Sequence, residues 1–181
     1  MVQTLEPILA KHPFFEGLDK SYLELLVGCA SNARYNPGEY LFREGEEAKQ
    51  FFIVRRGRVA VEIAVPGRGA ITIQTHEEDD VVGWAWLFPP YHWHFSARAV
   101  ELTRVFALDG ECLRRKCEQD PALGYEFVKR FSDKIVRSLD LTRLQLLDLY
   151  GASPETTAKA AVHSHRPAKN REETAMDQSA C

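Results

Sequence analysis

Between Asp19 and Ala30, apolar side chains fall at Tyr22, Leu23, Leu25, Leu26 and Cys29, the spacing of one helix face, and Asp19 stands where it can cap the first turn. Ahead of it, His12-Pro13-Phe14-Phe15-Glu16-Gly17-Leu18 reads as a short turn with an aromatic anchor. From Ala33 to Leu108 the texture changes. Short apolar runs recur at 40–42, 51–54, 59–63, 70–73 and 103–108, separated by Pro37-Gly38, Glu44-Gly45, Arg56-Gly57 and Pro66-Gly67-Arg68-Gly69. Runs of this length with regular glycine punctuation predict an all-β sandwich or barrel-like roll, with the glycines serving tight turns rather than cradling phosphate.

After Leu108 the pattern is helical again. Asp109 to Asp120 reads as a short helix capped by Asp109, and Pro121, at a favoured first-turn position, opens a longer one that Gly151 stops. The long helix carries Val128, Ile135 and Leu149 on one seven-residue track with Thr142, and Leu139 and Leu146 on a neighbouring track. Such a track either packs back on the roll or forms a seam between helices, and its width favours a homodimer through residues 121–149. The expected layout is an N-terminal helical segment at 1–32, a β-roll at 33–108, helices at 109–150 and a tail at 151–181. The tail lacks Leu, Ile and aromatic residues, cancels its own charge, and is expected to be disordered.

Composition narrows the classes. The 181 residues are 45% hydrophobic and 27% charged, which excludes wholesale disorder, and a net charge of −3 argues against a dedicated nucleic-acid binder. The N-terminus lacks the basic and apolar run of a signal peptide, and the longest uncharged stretch, Val81 to Ala97, is broken by Pro89-Pro90, so no membrane span is expected and the cytoplasm is the expected compartment. Cys29, Cys112, Cys117 and Cys181 include no Cys-x-x-Cys pair and read as buried or incidental thiols of a reducing compartment.

Three segments carry a family resemblance. His12 to Leu18, Tyr35-Asn36-Pro37-Gly38-Glu39-Tyr40-Leu41-Phe42-Arg43-Glu44-Gly45-Glu46, and Phe51-Phe52-Ile53-Val54-Arg55-Arg56-Gly57-Arg58-Val59 look like successive parts of the cyclic-nucleotide-binding domain family, as found in catabolite-activator/Fnr-type bacterial regulators, cyclic-nucleotide-dependent kinases and gated channels. The resemblance runs from about His12 to Tyr150. It implies a mainly β fold with flanking helices (α+β), a double-stranded β-helix or jelly roll with a long C-terminal helix, and a regulatory, non-enzymatic role. It also implies a phosphate-binding cassette, placed here at 81–99. In the family the cassette has a Gly-Glu pair, a short helix and an arginine before the next strand. The carboxylate accepts a hydrogen bond from the ribose hydroxyl and the guanidinium forks onto the phosphate.

This chain departs from that cassette. Aligned without gaps, Gly83 is kept, Trp84 stands at the glutamate position and Trp93 at the arginine position, and a slip of one or two residues substitutes His94 or Phe95. Arg98 comes five residues late, where strand alternation makes it a poor substitute. The resemblance therefore implies little or no ordinary cyclic AMP or GMP binding. The candidate pocket residues are Gly83, Trp84, Ala85, Trp86, Trp93, His94, Phe95 and Ser96. The aromatics either plug their own pocket, or line one adapted to an apolar or aromatic ligand, or form an exposed partner contact.

Other classes fit less well. A metal-dependent cupin would need His92-x-His94 followed more closely by Glu101 and then by another histidine. Here six residues intervene, the earlier His76 is out of order, and the next histidine is His163 in the tail, so no cofactor or metal is expected. Neither a Gly-x-Ser-x-Gly elbow nor a nucleotide phosphate loop occurs. Glu77-Glu78-Asp79-Asp80 reads as a solvated turn. Only 31 polar residues follow Tyr150, too few for the winged helix-turn-helix of some relatives, so direct contact with nucleic acid is not expected and the output is assigned to an unknown partner chain.

Overall fold

The computed structural model describes residues 5–151. Two short helical turns lead in, α1 (Glu6–Leu9) and a 3-10 turn at Pro13–Phe15, whose Phe14 and Phe15 are buried. Helix α2 (Lys20–Val27) starts as its sequence requires, with the Asp19 carboxylate accepting from the Ser21 N–H at 2.8 Å. Eight strands follow: β1 (Ala30–Tyr35), β2 (Tyr40–Phe42), β3 (Gln50–Arg56), β4 (Val59–Val65), β5 (Gly69–His76), β6 (Val81–Val82), β7 (Ser96–Ala99) and β8 (Thr103–Asp109). Helices α3 (Gly110–Gln119) and α4 (Pro121–Gly151) complete the described chain.

The strands form two four-stranded antiparallel sheets, ordered β1-β8-β3-β6 and β2-β7-β4-β5. The mainly β fold with flanking helices and a long last helix is as the sequence reading expected. Between the sheets lie Phe42, Phe52, Val54, Val59, Ala97 and Val105, while Phe51, Ile53 and Leu108 belong to the outer face of the first sheet. That outer face meets the N-terminal turns and the start of α4, where Phe14 packs edge-on against Phe131 at 5.0 Å and Phe131 against Phe51 at 5.3 Å.

The chain divides into two units, Met1–Lys134 and Ile135–Cys181. Within the first, α4 buries Leu123, Phe127 and Phe131, an i, i+4, i+8 stripe, while Val128 of the expected track is exposed. The described part of the second unit is the rest of α4, on which Val136, Leu139, Leu144, Leu146 and Leu147 are exposed. The tail reading, with its His163, lies outside the described residues. No helix among the described residues is long and apolar enough to cross a membrane.

Two expectations are corrected. The roll begins at Ala30, not Ala33: β1 pairs with β8 from Ala30↔Leu108 onward, although Ser31 and Asn32 are exposed and give no apolar signal. Cys29 and Cys112 are not thiols but a disulfide with Cα atoms 6.0 Å apart. The β1–β8 register causes this, since the Asp109 N–H bonds the Cys29 carbonyl at 2.8 Å and Cys112 follows one helical turn later. Cys117 remains a free thiol that burial, aided by Asp120 and Glu118, pushes up to about 11, so it is protonated at neutral pH.

His12 is the buried polar group that ties the N-terminus to the acidic turn. It is 6% exposed, its Nδ1 accepts from the Phe14 N–H at 3.1 Å, and its Nε2 lies 3.7 Å from Asp79. Burial lowers its pKa from the ordinary 6.5, Lys134 acts in the same direction, and Asp79 and Asp80 oppose it. The unfolded chain therefore takes up the proton more readily. Its stabilisation is full above pH 6.5 and is lost as pH falls through the lower folded value. His12→Asn keeps an acceptor for Phe14 and does not titrate, so chemical denaturation of the variant should show a shallower loss of stability between pH 7 and pH 5. An unchanged pH profile would remove His12 from the account.

Candidate functional site

Strand β6 is two residues long, paired to β3 through Val82↔Phe52 and Val81↔Ile53, and it ends at Gly83. Gly83 has φ +86°, and a Cβ there would lie 2.6 Å from Cη2 of Trp93. Both the backbone angle and the close approach demand glycine. Gly83→Ala should destabilise the roll by about 2 to 3 kcal/mol, from left-handed strain plus overpacking. Urea titration measures this, and a loss below about 0.5 kcal/mol would mean that the indole yields freely.

From Trp84 to Phe95 the chain makes turns but no helix. Trp93 is fixed on both sides. Its N–H bonds the Glu46 carbonyl at 2.9 Å, its carbonyl receives the Gly45 N–H at 2.8 Å, and its ring stacks on Phe42 with centroids 3.7 Å apart. Ala48 donates to the Tyr91 carbonyl, so residues 91–93 run along the loop between β2 and β3. Trp86 is fully buried. It stacks on Phe51 at 5.2 Å and meets Phe127 and Phe131 of α4 at 5.8 and 5.7 Å. Its indole Nε1–H has no acceptor among the described residues.

Other expected residues are dispersed around this core. Ala85 is buried, and Trp84 is half-buried and packs on the core. His94 is exposed, Phe95 is half-buried, and Ser96 Oγ accepts from the Glu44 N–H at 3.0 Å. Arg98 does not reach the interior. Ala97 and Ala99 are buried in the roll, and alternation turns Arg98 to the other face of β7. There its Nε donates to Glu62 Oε1 at 3.0 Å, and its Nη2 makes a second bond to the same carboxylate. Glu62 is 3% exposed, so this forked contact is what makes its burial tolerable.

The cupin-type histidines are not gathered. His76 is buried beside Asp80, His92 bonds the Pro90 carbonyl and is exposed, and Glu101 pairs with Arg58. Among the described residues no group of three His, Cys, Asp or Glu side chains could hold a metal.

The contact the sequence reading missed is Arg114 of α3. Its Nη1 donates to the Trp86 carbonyl at 2.6 Å, and its guanidinium lies 4.4 Å from the centroid of Tyr91. Gly110, at the start of the same helix, would place a Cβ 2.9 Å from Trp86 Cβ and 3.0 Å from the Lys49 carbonyl. Helix α3 thus grips the aromatic segment at two points, and α4 closes on Trp86 with two phenylalanines. The one signal available was the i, i+4 spacing of Phe127 and Phe131.

Residues 33–120 match the family model described as Cyclic nucleotide-binding domain. Among curated proteins, the chain is 28% identical over 112 residues to the Anaerobic regulatory protein of Bacillus subtilis (strain 168), covering 60% of this chain and 46% of that protein. It is 23% identical over 145 residues to the CRP-like cAMP-activated global transcriptional regulator of Mycobacterium tuberculosis (strain H37Rv), covering 80% of this chain and 63% of that one. The chain thus spans less than two thirds of either relative. Among solved structures, a cyclic nucleotide-binding domain from Methylobacillus flagellatus KT superposes with a TM-score of 0.67 at 17% identity, over 80% of this chain and 82% of that one. The Thermus thermophilus Catabolite Activator Protein gives 0.59 at 24% identity, over 75% and 63%. At these identities the structural likeness establishes the fold.

Proposed function

We propose, from the premise that residues 33–120 belong to the cyclic nucleotide-binding domain family, that the chain is a non-catalytic sensor or adaptor whose pocket does not take cyclic AMP or GMP in the family's usual pose. The observation that carries this reading is the burial of two indoles in the cassette segment, Trp86 at 0% and Trp93 at 6% exposure, with Arg98 committed to Glu62 on the opposite strand face. A charge-assisted hydrogen bond to phosphate contributes about 1.5 to 3 kcal/mol, so without a guanidinium the usual pose weakens by roughly one to two powers of ten. Calorimetric titration with cyclic AMP and cyclic GMP is expected to give no saturable heat at micromolar nucleotide. A micromolar or tighter constant for either would sink the reading.

The output is assigned to α4. The cassette segment touches Phe127 and Phe131 directly, so a change at the pocket alters the helix that emerges from it. The exposed Val136, Leu139, Leu146 and Leu147 supply the apolar surface for a homodimer through 121–149, or for a separate output chain. A second reading, an apolar or aromatic ligand taken up at the aromatic segment, is favoured by the buried Trp86 Nε1–H, which an acceptor atom on such a ligand would satisfy. Native mass spectrometry of freshly purified protein tests both, through the oligomer mass and any co-purified small molecule.

A further inference from the structure

The outer face of the first sheet is only partly covered by helices, and its uncovered end is arginine-rich. The register sets Arg34 of β1 directly opposite Arg104 of β8, and Arg104 opposite Arg56 of β3, so three exposed arginines stand in a row across three adjacent strands. Arg55, at the irregularity in β3, lies over the Phe106 ring at 4.5 Å on the same face. None of the four forms an ion pair with a carboxylate among the described residues, although Arg34 is near enough to Glu39 to help lower its pKa. Arg55 donates to the Asn32 side chain at 2.7 Å, Arg34 reaches Asn36 at 3.5 Å, and Arg56 and Arg104 have no ion pair or hydrogen bond. Like charges at directly opposed strand positions destabilise a sheet.

The row borders a concavity. A cleft of about 600 Å³ is lined by Arg56, Gly57, Glu101, Leu102 and Arg104, a size suited to a small molecule. None of these residues belongs to the aromatic segment, so the site is separate from the cassette and independent of how the cassette is read. Two unpartnered guanidinium forks match the geometry of phosphate oxygens. Glu101, which holds Arg58 through Oε1, also lines the cleft and would repel a ligand that is anionic throughout. We infer that this cleft binds the phosphoryl group of a small phosphorylated molecule, with Arg56 and Arg104 as its anchors and Arg34 as the flanking charge.

The probe is pyrophosphate, titrated calorimetrically into the 181-residue chain at low ionic strength. Saturable binding is expected, weakened at least tenfold in Arg104→Gln and unchanged in Arg43→Gln, whose side chain stacks on Tyr40 in the other sheet. Glu101→Gln should bind more tightly than wild type. A second readout guards against misfolding. Relief of like-charge repulsion should raise the thermal midpoint of Arg104→Gln by about 1 to 3 °C, and pyrophosphate should raise the wild-type midpoint but not that of the variant. Absence of saturable binding at millimolar pyrophosphate, or equal binding by Arg104→Gln, would overturn the inference. Arginine-dependent co-sedimentation with anionic phospholipid vesicles, or retention on duplex DNA that pyrophosphate cannot displace, would reassign the face to a headgroup or a nucleic acid and equally overturn it.

Discussion

Opening the Cys29–Cys112 disulfide with a dithiol is expected to lower the thermal unfolding midpoint by about 10 °C. The bond closes a loop with a sequence separation of 83, and restricting the unfolded chain over that length contributes about 4 kcal/mol. For a domain of this size each kcal/mol moves the midpoint by about 2 to 4 °C. The double variant Cys29→Ser/Cys112→Ser should melt at the reduced wild-type temperature and ignore the reductant. Melting curves with and without dithiol, paired with thiol titration of the denatured protein, make the test. A midpoint that stays put while the titration shows two additional thiols would mean that the bond constrains nothing. The local structure explains why the site closes readily: the Asp109 carboxylate caps α3 by accepting from the Cys112 N–H at 2.8 Å, while the Asp109 N–H holds the Cys29 carbonyl. The thiol-bearing turns are thus aligned by backbone bonds on either side.

Trp86→Ala is expected to cost about 3 to 5 kcal/mol, the range for deleting a wholly buried aromatic side chain. The indole joins Phe51 on the sheet to Phe127 and Phe131 on α4, so the cavity it leaves has three aromatic walls held by different elements and little freedom to collapse. Trp86→Phe should cost far less. It keeps most of the ring contacts and removes the buried Nε1–H, whose lack of an acceptor costs about 1 to 3 kcal/mol in the native protein. Urea unfolding of the two variants separates the contributions. If the phenylalanine variant proved as unstable as the alanine variant, the Nε1–H would have to be satisfied in solution, as by an ordered water or a bound molecule.

What could be read from the chain follows from where apolar side chains form short runs between turn residues. β3, β4, β5 and β8 carry short apolar runs, and both expected caps, Asp19 and Asp109, accept backbone N–H groups in the first turns of their helices. β1 was legible only in part, because Ser31, Asn32 and Arg34 are exposed and its apolar face is made of Ala33 and Tyr35. β7, Ser96-Ala97-Arg98-Ala99, has too little side chain to show a period, and its identity as a strand comes from pairing with β4 and β2.

On α4 two apolar tracks compete at nearly the same period. The roll selects Leu123, Phe127 and Phe131, a choice set by tertiary contact and not by the helix itself. The disulfide was invisible for a related reason: its halves are adjacent only through the β1–β8 register. In the segment from Gly83 to Ser96 the crowd of aromatic residues could be seen in the sequence, whereas the grip of Arg114 could not, since it falls on a main-chain carbonyl.

That last contact has a consequence for how this domain can change. Arg114 holds residue 86 by its carbonyl oxygen, and Gly110 abuts residue 86 at its Cβ, an atom every amino acid but glycine possesses. Both attachments of α3 at residue 86 are therefore indifferent to which side chain stands there. A lineage could replace Trp86, giving up its ring packing on Phe127 and Phe131 of α4, and inherit the attachment to α3 intact.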